Sequence, residues 1–519
     1  MLAKLHTFSL VGLHAHEVQV EVDISPSEDS KIVLVGLPDA AIRESTSRMR
    51  RAIVNSGFFY PDSGVITINL APAGLRKQAS SFDLPITLGV LAAMGQIDLS
   101  ILERFAVVGE LSLEGSTRSV RGCLSMAIAA SKYPHLDGIL VPGVNAYEAS
   151  VVEDLQVMAV DSLAQAVAYC TGDLLMERVP GTATQLLSQQ RDYELDYSDV
   201  RGQEMAKRAM TIAAAGGHNI LMVGPPGSGK TMLAKRIPSI LPNLTGAESI
   251  ETTQVYSVLG RLPSNASLVA HRPFRAPHHT ISDAGMAGGG SIPMPGEISM
   301  AHNGVLFLDE LPEFSRRTLE VLRQPLEDNR ITISRASGAT SFPANIMLIA
   351  AMNPCPCGFK NHPKKRCTCL DAQVDKYLAK VSGPLLDRID IHIEVPAVPI
   401  EDLSDSENGT PSASMRNQIQ MAREWQVNRF DRRAHNLNAQ MQAAEVRDFC
   451  QLTQDAKQSL EAAVNKLGFS ARAHDKILRV ARTIADLAGT ETVEDDHIKE
   501  AVNYRLLDRQ YLSRCHAVN

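Results

Sequence analysis

Residues 224–231 read GPPGSGKT, between the apolar run NILMV (219–223) and the helical run MLAKRI (232–237). A strand that enters a glycine-rich turn and leaves as a helix can wrap backbone N–H groups around phosphates. Gly224, Gly227 and Gly229 permit the close approach, Pro225, Pro226 and Ser228 complete the loop, and the helix N-terminus adds its dipole. Lys230 is placed to reach the β- and γ-phosphates and Thr231 to ligate Mg²⁺. ATP and Mg²⁺ are therefore the expected substrate and cofactor.

Outward from this loop the chain alternates strands and helices. GVLFLDEL (304–311), ANIMLIAAMN (344–353) and DIHIEV (390–395) read as further strands, a pattern that predicts a parallel sheet covered by helices on both faces. The run VLFLDEL ends in Asp309 and Glu310, so a buried strand delivers two carboxylates to the sheet edge where nucleotides bind. Asp309 is expected to hold Mg²⁺, and Glu310 to polarise the attacking water.

Before this region, VQVEVDI (18–24), KIVLVGL (31–37) and GVITINL (64–70) read as strands, and residues 39–57 as a helix stopped by glycine. A stretch without periodicity over 172–197 predicts a linker, and residues 401–414 lead into a helical C-terminus. The net charge of −7 requires any contact with nucleic acid to come from local basic features. No apolar run reaches the roughly 18 residues of a membrane helix, and the N-terminus lacks a secretory cleavage pattern. With Cys123, Cys170, Cys450 and Cys515 scattered, a reducing cytoplasmic location is expected.

The strings FRAPHHTIS (274–282), PGEISMAHNGVLFLDELPEF (295–314) and SGPLLDRIDIHIEV (382–395) resemble signatures of the YifB/ComM family, magnesium-chelatase-like AAA+ ATPases. The resemblance spans essentially the whole chain. It implies a Lon-protease-like α/β domain over 1–171, a linker over 172–197, an AAA+ P-loop α/β core over 198–400, and a C-terminal α-helical lid over 401–519. It further implies that Asn353 is the polar sensor orienting water, that Arg388 is an arginine finger acting on the neighbouring subunit's ATP, and that Arg472 is a second sensor at the start of a lid helix. Arg479 and Arg482 lie on the same helix, and Asp387 and Asp390 are alternative partners for Arg388. An arginine acting between subunits requires a ring, most simply a homo-hexamer.

In the N-terminal domain, TINLAPAGLRKQASSFDLPITLGVLAA (67–93) is similar to the stretch bearing Lon's nucleophilic serine, with Ser80 and Ser81 nearby. The position of Lon's lysine reads Leu124, while Lys77 and Lys132 fall outside the motif. A serine without its base is not activated, so a proteolytically inactive domain that serves assembly or docking is expected.

Residues 327–353 read as two strands around a Ser-Gly turn leading into the sensor strand. This resembles a pore hairpin of the clade that includes MCM helicases, with Arg335 near the tip and Arg330 close by as DNA-binding candidates. GMAGGGSIPMPGE (285–297) is a second candidate pore loop. The resemblance implies a DNA motor promoting branch migration in natural transformation, acting on single-stranded or branched DNA with recombination proteins as partners and no membrane. The competing readings are a chelatase-type motor that remodels a metal-insertion partner and an ATP-dependent protease.

NPCPCGFKNHPKKRCTCL (353–370) carries the remaining cysteines as two CxC pairs, Cys355/Cys357 and Cys367/Cys369. Four thiolates complete a closed tetrahedral Zn²⁺ shell; His362 lies between the pairs as an alternative ligand. Structural zinc is the expectation, presenting a loop that bears Lys360, Lys364, Lys365 and Arg366. The neighbouring His278 and His279 are expected to serve a turn or an interface, outside the site.

Overall fold

The computed structural model describes residues 2–181, 193–397, 409–430 and 437–507, except 76, 78–79, 264–265, 336–337, 361 and 363. Part of the expected linker, the start of the 401–414 stretch and Cys515 therefore lie outside the described residues. The chain forms two compact units, Met1–Gln189 with Leu244–His271, and Gln190–Asn243 with Arg272–Asn519. The segment Leu244–His271 thus packs with the N-terminal unit, although its place in the sequence put it within the ATPase core.

The first unit is built on a mixed sheet. Its strands are β1 (Ala3–Val11), β2 (His14–Ser25), β3 (Ser30–Val35), β4 (Gly64–Ala71) and β5 (Phe105–Val107), a small hairpin β6 (Glu110–Leu111) and β7 (Thr117–Arg118), then β8 (Gly138–Pro142) and β9 (Gln156–Val160). The sheet order is β3-β4-β2-β1-β5-β8-β9. Alternation along β4 buries Ile66, Ile68 and Leu70, the pattern of a strand with one face on the core. Helix α1 (Ala40–Asn55) starts where the Asp39 side chain accepts the Ile42 N–H at 2.9 Å. Helix α2 (Asp83–Ala93) is buried throughout, and Gly89 lets it lie so close to β2 that a Cβ there would sit 2.7 Å from Val22 Cγ2.

Helix α3 (Cys123–Ala130) carries Leu124, which the resemblance to Lon aligns with that protease's lysine. Leu124 is fully buried with Val151 and Leu268, and Ile250 packs against them. Ile250 and Leu268 come from the Leu244–His271 segment, whose helix Gly246–Leu259 opens on a Thr245/Glu248 capping box. That position is apolar and sealed. Lys77 is buried and donates to the Pro72 carbonyl, Lys132 is exposed, and Ser81 Oγ is buried with no hydrogen-bond partner among the described residues.

The second unit contains helix α4 (Glu204–Gly216), β10 (Ile220–Val223), helix α5 (Lys230–Arg236), β11 (Phe274–Arg275), β12 (Gly288–Gly289), β13 (Met294–Pro295), β14 (Gly304–Leu308), β15 (Arg330–Arg335), β16 (Gly338–Pro343), β17 (Ile346–Met352) and β18 (Ile391–Glu394). Five of these strands form a parallel sheet in the order β11-β14-β17-β10-β18. Every residue of β10, β14 and β17 is buried, as strands covered on both faces require. Helix α6 (Ser412–Arg429), helix α7 (Ala471–Ala488) and the helices Gln454–Leu467 and Asp495–Asn503 make the C-terminal region. Apolar residues of α6 and α7 join those of α4, β10 and β17 in one core. Among the described residues no helix is long and apolar enough to cross a membrane.

Candidate nucleotide site

Register brings the site together. Val223, the last residue of β10, pairs with Met352 on one side and Glu394 on the other. The loop after β10 therefore emerges beside Asn353 and Val395. Gly224 N–H donates to Met352 O at 3.2 Å, and a Cβ on Gly224 would lie 2.1 Å from Val395 O. Gly227 and Gly229 have φ of 79° and 89°, a region that favours glycine. Helix α5 follows directly.

Lys230 Nζ donates to Gly224 O at 2.8 Å and Pro225 O at 2.9 Å, with Ser228 Oγ and Asn353 Oδ1 each 3.4 Å away. Burial lowers its pKa below the ordinary lysine value, against the opposing pull of Asp309 and Glu310. Thr231 Oγ1 donates to Asp309 Oδ2 at 2.7 Å. A hydroxyl and a carboxylate held side by side next to a buried ammonium are a donor set suited to a Mg²⁺-nucleotide.

Glu310 follows with φ 52°, and its side chain is 57% exposed. His279 Nδ1 lies 3.7 Å from Glu310 Oε2; its ring centroid is 4.1 Å from that of His278 and meets Phe314 edge-on. The sequence predicts a turn or interface role for His279, but the structure puts it beside Glu310 at the end of the acidic strand. The histidine pair in APHHT was the available signal, but a polar pair in a loop has many commoner uses.

Arg388 and Arg472 converge on a single residue, Glu327. Arg388 Nη2 pairs with Glu327 Oε1, Nη1 donates to Pro384 O at 2.6 Å, and Nε has no partner among the described residues. Arg472 Nη2 is 4.0 Å from the same Glu327 oxygen. The Arg388 guanidinium lowers the Glu327 pKa below the usual carboxylate range. Asp387 and Asp390, the partners considered from sequence, are not the ones used. Asp390 turns inward to Lys476 at 2.9 Å and His218 at 3.6 Å. Arg482 is fully buried in an ion pair with Asp486, which leaves Arg472 as the exposed arginine at the start of α7. Nothing local in the sequence marks Glu327.

Glu327 stands three residues before the hairpin of β15 and β16, which pairs Arg330 with Pro343 and Arg335 with Gly338. The two arginines proposed from sequence are therefore separated: Arg335 is at the tip, and Arg330 at the open end. Ile331, Ile333 and Phe342 turn inward. β12 and β13 form a second short hairpin from the Gly/Pro-rich stretch. A Cβ on its Gly289 would be 3.5 Å from Arg335 Nη2, and one on Gly288 3.0 Å from Ile333 Cδ1, so the two hairpins lie side by side.

The four cysteines meet beyond Asn353. Sγ–Sγ distances are 3.4 Å for Cys355–Cys357, 3.7 Å for Cys355–Cys367 and 3.6 Å for Cys357–Cys367, and Cys357 N–H points to Cys369 Sγ at 3.4 Å. Thiolates about 2.3 Å from a tetrahedral zinc would be spaced at about 3.8 Å, so the cluster fits that ion. His362 Nδ1 accepts the Lys364 and Lys365 N–H groups at 3.0 Å each and closes a turn instead of joining the sulfurs. Lys360 is drawn towards Asp371 at 3.7 Å, and Lys365 lies over the Phe359 ring. Lys364, Lys365 and Arg366 remain exposed. The cluster also touches the phosphate loop, because a Cβ on Gly358 would meet Pro226 Cδ at 2.5 Å.

The chain is 43% identical to the competence protein ComM of Haemophilus influenzae over 98% of both chains. The chain belongs to the ComM/YifB family of magnesium-chelatase-like AAA+ proteins. Within that family it is also 42% identical to the YifB protein of Escherichia coli K12, again over 98% of both. The profile described as magnesium chelatase, subunit ChlI, matches residues 196–403, which hold the nucleotide site; ChlI-subunit profiles also match 20–145 and the C-terminal 409–505. A Bacillus subtilis protein named Lon protease 2 is 28% identical over 152 residues, 27% of this chain and 26% of its own length.

Proposed function

We propose that the chain is the subunit of a ring, most simply a homo-hexamer, which hydrolyses ATP between subunits and moves DNA through its pore. In the cell this motor drives branch migration when incoming DNA is recombined in natural transformation, in the cytoplasm and with recombination proteins as partners. The observation that carries the reading is Arg335 at the tip of a hairpin that leads into the sensor strand and is rooted beside Glu327. Six such tips would line a pore with positive charge on an otherwise acidic protein. The name of the H. influenzae relative supports the competence setting.

The geometry supports the following roles. The N–H groups of Gly227, Gly229, Lys230 and Thr231 and the Lys230 ammonium would hold the phosphates, and Thr231 and Asp309 would hold Mg²⁺, which neutralises phosphate charge when bound. Glu310 accepts a proton from the attacking water, and Asn353 orients that water. Arg388 and Arg472 leave Glu327 to stabilise charge on the neighbouring subunit's ATP. Because Glu327 lies at the base of the hairpin, their release is linked to hairpin position. Cys355, Cys357, Cys367 and Cys369 hold a structural Zn²⁺ that braces the loop against Pro226.

His279 acts as a positioning residue for Glu310. His279→Ala is expected to lower kcat for ATP hydrolysis on the order of tenfold, about 1.4 kcal/mol, with KM and the thermal melting temperature held. A variant that melts early, or that loses only KM, would give His279 a packing role instead.

Forked or three-stranded DNA is expected to stimulate ATP hydrolysis, and Arg335→Ala to lose both the stimulation and strand displacement. A hydrolysis rate indifferent to DNA overturns the DNA reading. The ChlI-type profiles favour one second reading, a motor that remodels a metal-insertion partner; activation by such a partner and not by DNA would establish it. Proteolysis is disfavoured by the sealed apolar environment of Leu124.

A further inference from the structure

The sheet of the first unit gathers a second set of metal-binding side chains. Phe8 on β1 pairs with Glu17 on β2, and His6 pairs with Gln19. His6 and Glu17 are therefore diagonal neighbours on one face of the sheet, within reach of each other. His135 comes to the same point from the turn between α3 and β8. His6 Nδ1 and His135 Nε2 each lie 2.7 Å from the same Glu17 oxygen, Oε1, and the ligand atoms all fall within 4.8 Å of one another.

Packing holds the three in place. The Tyr133 ring meets His135 edge-on, with centroids 5.5 Å apart, and also lies against Phe8, whose ring is buried in the sheet's second core. His6 and Glu17 are largely covered, at 20% and 21% side-chain exposure, whereas His135 is 46% exposed. The cluster is thus anchored on the sheet side and open on the other, which gives an ion an entry path and leaves a position for water. Two neutral imidazoles and one carboxylate carry a net charge of −1 and suit zinc and its first-row neighbours. Hard, oxygen-preferring Mg²⁺ and Ca²⁺ are poorly matched to this set.

We propose that His6, Glu17 and His135 bind a divalent first-row transition cation, best matched by Zn²⁺, with water completing the shell. The ion ties the β1–β2 hairpin to the turn after α3. It is distinct in its ligands from the four-cysteine cluster and from the nucleotide site.

Cobalt distinguishes this site from the thiolates. The full-length protein is stripped with a chelator and titrated with Co²⁺; a thiolate site shows sulfur-to-metal charge-transfer absorption, whereas a histidine–carboxylate site shows only weak visible bands. A Cys357→Ser/Cys369→Ser variant is expected to keep one Co²⁺ with the weak bands, and to lose it when His135→Gln or Glu17→Gln is added. Zn²⁺ is expected to raise the melting temperature of the cysteine variant, and not of the combined variant. Equal metal content with and without His135→Gln overturns the proposal. So does a result in which Glu17→Gln lowers metal-free melting while added metal shifts nothing, since the three residues would then be a hydrogen-bonded clasp only.

Discussion

Arg388→Ala is expected to lower ATP turnover by about 10³-fold or more while ATP still binds, the loss seen when an arginine finger is removed. The reasoning starts from where Arg388 is. Its side chain is only 10% exposed, it pairs with Glu327, and its Nε has no partner among the described residues. Arg472 reaches the same carboxylate. Two guanidiniums around one acid carry a net positive charge, which fits a group of phosphates presented by another subunit. Lys230 is held instead by Gly224, Pro225, Ser228 and Asn353.

A mixing experiment separates the two halves of each site. Lys230→Ala subunits keep Arg388, and Arg388→Ala subunits keep the phosphate loop, so mixed rings are expected to recover turnover that neither variant has alone. Wild-type turnover in Arg388→Ala, or no recovery on mixing, would remove the trans role. If Arg388 and Glu327 formed only a structural pair, Glu327→Gln would abolish turnover as completely as Arg388→Ala; if Arg388 acts on the neighbouring subunit's ATP, Glu327→Gln frees it and turnover persists.

Lys476→Met is expected to destabilise the second unit by about 3–5 kcal/mol, the cost of leaving one member of a buried ion pair without its partner. Lys476 on α7 pairs with Asp390 at 2.9 Å, and Asp390 also faces His218 and accepts the Asn219 N–H at 3.2 Å. This knot joins the C-terminal helices to the end of the sheet at β18, two residues from Arg388. Burial opposes ionisation of Asp390, but the Lys476 ammonium and His218 outweigh it and hold the carboxyl well below the usual carboxylate range. With the folded pKa depressed, the carboxylate's contribution is complete above the unfolded value of about 4, declines progressively below it, and is lost only as the pH falls through the depressed folded value.

The single tryptophan, Trp425 on α6, reports unfolding of the second unit by fluorescence. Lys476→Met is expected to lower the denaturant midpoint at neutral pH. Replacing both partners, Lys476→Met with Asp390→Asn, is expected to recover much of the loss, because no unpaired charge is then buried. Equal midpoints for wild type and Lys476→Met would show that the pair contributes nothing to holding the helices.

Much of the nucleotide site is legible in the sequence because its parts are contiguous. A P-loop is one strand, one turn and one helix, and Asp309 and Glu310 end a single apolar run; local spacing is enough to find them. The four cysteines fall within fifteen residues, and their meeting needs only a tight loop. The three strands and the helix read from the first seventy residues correspond to β2, β3, β4 and α1. The partner of Arg388 was a different matter. Glu327 is 61 positions away in the chain, and the nearer acids, Asp387 and Asp390, were the natural candidates until the fold turned Asp390 inward.

The same division runs through the molecule. By itself the sequence determined the alternation of strands and helices, the phosphate loop, the acidic strand end and the thiolate cluster, because each depends on residues a few positions apart. Only the tertiary structure decided that Leu244–His271 folds onto the first unit and seals Leu124, that His279 stands by Glu310, that Arg388 and Arg472 share Glu327, and that His6, Glu17 and His135 meet. Those contacts join segments whose separation in the chain carries no periodicity. Sheet register and helix packing bring them together, and no local pattern records the result.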